Sequence, residues 1–124
     1  MLFLGAQYYK EKLYEFNINR ECKAIYMGCD KFVEAINDKN LSSARMFLEM
    51  IINSCKYIRT TKPPVKYREI HKQMKKICNN LMKLYRDIFS IFIDRVWTKE
   101  YEDKLYQDGE LLKSQLNQLE ISSN

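Results

Sequence analysis

The chain has 124 residues, 46% hydrophobic and 30% charged, a mixture that supports a single folded domain with one core and not a disordered segment. Three Gly and two Pro are too few for a turn-rich all-β fold, and the most apolar later run, Ile88 to Ile93, is too short to span a bilayer. The net charge of +5 is modest, but its uneven distribution is the main functional clue.

The first helix is expected from near Gly5 to Ile36, with Tyr14, Ile18, Cys22, Ile25, Cys29, Phe32 and Ile36 as its apolar seam. Asn17-Ile18-Asn19 has weak helix propensity and marks a point where this helix could bend or break. Asn37-Asp38-Lys39-Asn40 reads as a tight turn, with Asn40 as N-cap of the next helix. The second helix is expected over about 41–59, with Leu41, Ala44, Leu48, Ile51, Cys55 and Ile58 inward. Pro63 and Pro64 end it, because the residue before a proline is pushed out of helical geometry.

Pro64 then suits the first turn of a third helix, roughly 65–95, where a missing N–H costs nothing. Its seam is the cleanest in the chain: Tyr67, Ile70, Met74, Ile77, Leu81, Leu84, Ile88 and Ile91 alternate by threes and fours. Cys78, Met82, Tyr85, Phe89 and Phe92 widen the apolar face, which suggests burial on more than one side and self-association as a homodimer. Trp97 reads as a plug at the exit of this helix. Thr98 is the expected N-cap of a fourth helix over 99–119, carrying Tyr101, Leu105, Gly109, Leu112, Leu116 and Leu119. Short connections make consecutive helices antiparallel, so the expected fold is all-α, an up-down-up-down four-helix bundle with coiled-coil-like packing.

Met1-Leu2-Phe3-Leu4 gives way at once to Gly5-Ala6-Gln7, without the basic leader, longer apolar stretch and cleavage site of a secretory signal. The expected location is therefore the cytoplasm of the source cell or of a host, or an extracytoplasmic one if a native leader has been removed. Abundant Lys, Asn, Ile and Tyr suggest an AT-rich genome: a low-GC bacterium, its phage or a virus. Cys22, Cys29, Cys55 and Cys78 form no C-x-x-C pair and read as reduced, small apolar core residues.

Between Lys56 and Arg86 stand ten basic residues against one acid, Glu69, whereas residues 87–124 hold eight acids and four bases. The candidate site is this basic patch: Lys56, Arg59, Lys62, Lys66, Arg68, Lys72, Lys75 and Lys76. Its bland reading is a solvated face partly neutralised by the acidic fourth helix. Its functional reading is attraction to an acidic protein surface or, alternatively, to nucleic-acid phosphates or anionic lipid. Lys outnumbers Arg fifteen to six, which disfavours base-edge reading. No nucleophile–base pair and no phosphate-cradling glycine loop is present, so no catalytic residue, cofactor or metal is expected. His71, the single histidine, reads as a bridging or capping residue near the connection, and Arg68 stands where a di-iron Glu-x-x-His motif needs Glu. The nine tyrosines divide between core rim and exposed binding surface.

Asn40-Leu41-Ser42-Ser43-Ala44, and Pro63-Pro64 followed by Tyr67 and His71, resemble a loose group of small, mostly uncharacterised bacterial four-helix-bundle proteins. Many of those are secreted or lipid-anchored, and a proline-led third helix with an early His is frequent among them. The chain departs from that group in lacking its leader and lipobox cysteine. The resemblance implies the bundle architecture and no activity. The function expected from the residues is a non-enzymatic interaction module: an adaptor, a regulator, or a phage- or virus-encoded inhibitor.

Overall fold

A computed structural model describes residues 2–94, 98–100, 103 and 107, the side chains of 2–4, 85 and 87–94 excepted. Among the described residues there are three α-helices and no strand: α1 (Leu2–Asn37), α2 (Leu41–Thr60) and α3 (Arg68–Asp94). A 3-10 turn, Val65–Tyr67, precedes α3. No helix among the described residues is long and apolar enough to cross a membrane.

α1 begins at Leu2, earlier than the sequence suggests, and continues unbroken through Asn17-Ile18-Asn19. The reason is packing: Ile18 is fully buried, and burying such a side chain is worth more than the small helix-propensity deficit of two asparagines. The helix ends in a left-handed cap at Lys39, φ 58°, with Asn40 N–H donating to the Ala35 carbonyl at 2.8 Å and Lys39 N–H to that of Ile36 at 3.0 Å. Asn40 then caps α2, its side chain accepting from Ser43 N–H at 3.2 Å.

Thr60 and Thr61 close α2 by turning their hydroxyls back on its last carbonyls, Thr61 Oγ1 donating to Tyr57 at 2.6 Å. Two sequence expectations need correction here. Pro64 does not enter an α-helical turn: its ψ of 157° keeps the backbone extended, so Tyr67 belongs to the 3-10 turn and α3 proper starts at Arg68. Leu41, expected inward, is exposed, because the first position of α2 lies beyond the end of the core.

Gly28 on α1 faces Ile51 on α2, Arg20 lies over the Tyr57 ring, and Cys55 on α2 meets Cys78 on α3. These pairings make α2 antiparallel to both neighbours and α3 parallel to α1. The core draws Ile18, Ile25 and Phe32 from α1, Leu48, Ile51 and Ile58 from α2, and Met74, Ile77, Leu81 and Leu84 from α3. The side chains of Tyr85, Ile88, Phe89, Ile91 and Phe92, with Trp97, Gly109 and most of the expected fourth helix, lie outside the described residues. Lys99, Glu100, Asp103 and Gln107 take helical backbone.

Candidate functional site

All eight residues of the sequence-predicted patch are exposed. Lys56 and Arg59 stand on the last turns of α2, Lys62 in the connection, Lys66 in the 3-10 turn, and the other four on the first turns of α3. The structure divides them into two groups. On α3, Arg68, Lys72, Lys75 and Lys76 fall in an arc of about 100°, and Lys83 and Arg86 continue it, so the basic face runs about 27 Å along the helix. Arg59 reaches across from α2 to the Met82 sulfur, at 2.9 Å. None of these side chains forms an ion pair among the described residues; the surface ion pairs there join Lys12 to Glu15, Arg20 to Glu21, Lys31 to Glu34 and Arg45 to Glu49. The spacing that extends the face to Lys83 and Arg86 is visible in the sequence as further three- and four-residue steps opposite the seam.

Lys62 and Lys66 lie elsewhere. Lys66 sits over the Tyr67 ring, 5.4 Å from its centroid, and Lys62 borders a groove of about 570 Å³ between α1 and residues Thr61–Val65. Ala6, Leu13, Tyr14, Pro63, Pro64 and Val65 supply its apolar walls, with Lys10 and Lys62 as its charges. Sequence reading missed this groove and Lys10, because it arises from two segments some fifty residues apart.

Behind the groove, α1 and the start of α3 are joined by a buried polar cluster. The Tyr14 hydroxyl is 2.7 Å from His71 Nδ1, and the Tyr14 ring stacks on Tyr67 with centroids 5.3 Å apart. The Tyr67 hydroxyl donates to the Glu15 carboxylate, whose other oxygen pairs with Lys12 at 3.4 Å. Burial keeps both phenols protonated well beyond the usual tyrosine range, helped at Tyr14 by Cys22 and at Tyr67 by the bond to Glu15. Burial also holds His71 below the usual imidazole value, as does the charge of Lys75, against the opposing effect of the Ile58 and Thr61 backbone. The direction of the Tyr14–His71 hydrogen bond is set by the imidazole tautomer. The cluster ties α1 to the start of α3 and acts as an interior brace between helices. Glu15 was missed in the sequence, although it stands seven residues before Cys22 and fourteen before Cys29, in register with the seam.

Cys22, Cys29, Cys55 and Cys78 are buried in the core and form no disulfide. Burial and then Cys78 push the Cys22 thiol up to about 12, and hydrogen bonding to Cys78, followed by burial, raises Cys55 as well. Such thiols are poor nucleophiles and poor metal ligands near neutral pH. No group of three or more His, Cys, Asp or Glu among the described residues is placed to hold a metal ion. No family model, curated protein or solved structure matches the chain.

Proposed function

We propose that the protein is a non-enzymatic interaction module, an adaptor, regulator or inhibitor, that docks an acidic protein surface on its basic side. The observation that carries this reading is the α3 face: six exposed cations in one stripe, none in an ion pair among the described residues. Concentrated charge of one sign raises the local concentration of oppositely charged partners and speeds encounter. The architecture belonging to this reading is a four-helix bundle, with residues 99–119 as the fourth, acidic helix antiparallel to α3. Pairing as a homodimer through the apolar flank of α3 belongs to it as well. Four buried cysteines without a disulfide favour a cytoplasmic setting.

A second reading, binding of nucleic acid or anionic membrane without sequence readout, is favoured by the length of the stripe and by its four lysines to two arginines. The two separate in one titration of the intact protein against an acidic polypeptide, random duplex DNA and phosphatidylserine vesicles. The first reading expects the polypeptide to bind with marked salt dependence and to weaken at least about tenfold when Lys72, Lys75 and Lys76 become Glu. Preference for DNA or vesicles selects the second reading, and retention of none of the three overturns both.

A further inference from the structure

We infer that the groove between α1 and residues Thr61–Val65 receives an acidic, amphipathic segment of the partner protein, an apolar side chain anchoring between Leu13, Pro63 and Val65 while carboxylates meet Lys10 and Lys62. The inference rests on the acidic-partner reading above and adds to it a place and a second recognition element.

Its volume of about 570 Å³ is ordinary for a site that encloses a compact ligand or the anchor residues of a peptide. Leu13 and Val65 at its edges are 46% and 66% exposed, leaving apolar surface that a partner would remove from water. The walls are fixed before any partner arrives. Pro63 and Pro64 have restricted φ, Tyr67 N–H holds the Pro64 carbonyl at 2.9 Å, and Thr61 is tied to α2 through both its N–H and its hydroxyl. The floor is Tyr14, immobilised between Tyr67 and His71. Little ordering cost is left for binding.

Charge selects the occupant. Lys10 and Lys62 line the groove and no carboxylate does among the described residues, so a neutral or basic segment would leave them unanswered. A second copy docking symmetrically would bring the same two lysines against themselves. Nucleic acid is poorly served, because Tyr14, the one aromatic ring among the described residues of the lining, is already stacked on Tyr67.

The test uses two fluorescein-labelled peptides of equal length and equal negative charge, one carrying two leucines a helical turn apart and one with serines in their place. Fluorescence anisotropy with the intact protein is expected to show the leucine peptide binding at least about tenfold tighter, the gain from burying an apolar anchor. Leu13→Ser with Val65→Ser, at two exposed positions whose loss leaves circular dichroism unchanged, is expected to abolish that preference while the serine peptide binds as before. Lys10→Glu with Lys62→Glu is expected to weaken both peptides. Equal affinity of the two peptides overturns the inference and leaves the acidic-partner reading intact, whereas failure of both to bind overturns both. Tighter binding by a peptide of this chain's own residues 98–120, or loss of a dimer in the Leu13 and Val65 variant, assigns the groove to the chain itself and also overturns the inference.

Discussion

Two levels of the interior are equally buried and differently made. At the end near the α2–α3 connection, Tyr14, Glu15, Tyr67 and His71 meet through hydrogen bonds between residues 52 and 57 positions apart in sequence. In the middle, Cys22, Cys29, Cys55 and Cys78 lie among isoleucines and Phe32, and burial raises the Cys22 and Cys55 thiols. Burial of the middle level is non-directional and tolerates small slips of one helix past another. The polar end does not: a shift of α3 by one residue would strand a carboxylate and an imidazole in the core. The apolar level supplies most of the stability, and the polar level fixes how α1 and α3 are aligned.

The contrast is tested most severely by Tyr67→Phe, which removes the donor to Glu15 and keeps the ring. The expected loss is about 1–3 kcal/mol in urea unfolding, the cost of leaving a buried acceptor unmet; a loss under about 0.5 kcal/mol would mean water already serves Glu15 and the end is no brace. Gly28→Ala probes the middle. A Cβ there would stand 2.7 Å from Ile51 Cγ1 and 3.1 Å from the Met50 methyl. Crowding of about 1–3 kcal/mol opposes a helix-propensity gain of about 1 kcal/mol, so a net loss near 1 kcal/mol is expected in thermal melts. A stabilised variant would show the middle to be the looser level.

The smallest effect is pH dependence at His71. Its value is lowered from 6.5 in the folded state, so the unfolded chain binds the proton first and stability falls as pH drops below 6.5. Melting from about pH 7 to about pH 5 should therefore show a fall in stability that flattens in His71→Gln. An unchanged slope in that variant would assign the dependence to carboxylates elsewhere.

Much of the core was readable from spacing. Tyr14, Ile18, Cys22, Ile25, Cys29 and Phe32 are buried as the seam requires, as are Met74, Ile77, Leu81 and Leu84. Periodicity succeeds there because each helix needs one apolar face whatever its neighbours are. It fails for Leu41, whose position past the end of the core is a property of the assembled bundle. It fails also for Glu15 with Tyr67, because a lone acid beside a seam looks like surface until its partner arrives from another helix. The exposed cations of α3 were legible as charge, and their extent along the helix followed only from the helical geometry. The groove was hidden, since neither proline nor lysine announces a concavity.

α1 is 36 residues long and α2 only 20, so α1 runs on for about 24 Å past the level at which α2 stops. That overhang is what makes the groove a recess and not a seam. Three more turns on α2 would fill it and convert a surface open to strangers into ordinary interior. The end that carries the groove is thus a matter of where one helix was cut short, adjustable by insertion or deletion without touching the core that holds the rest upright.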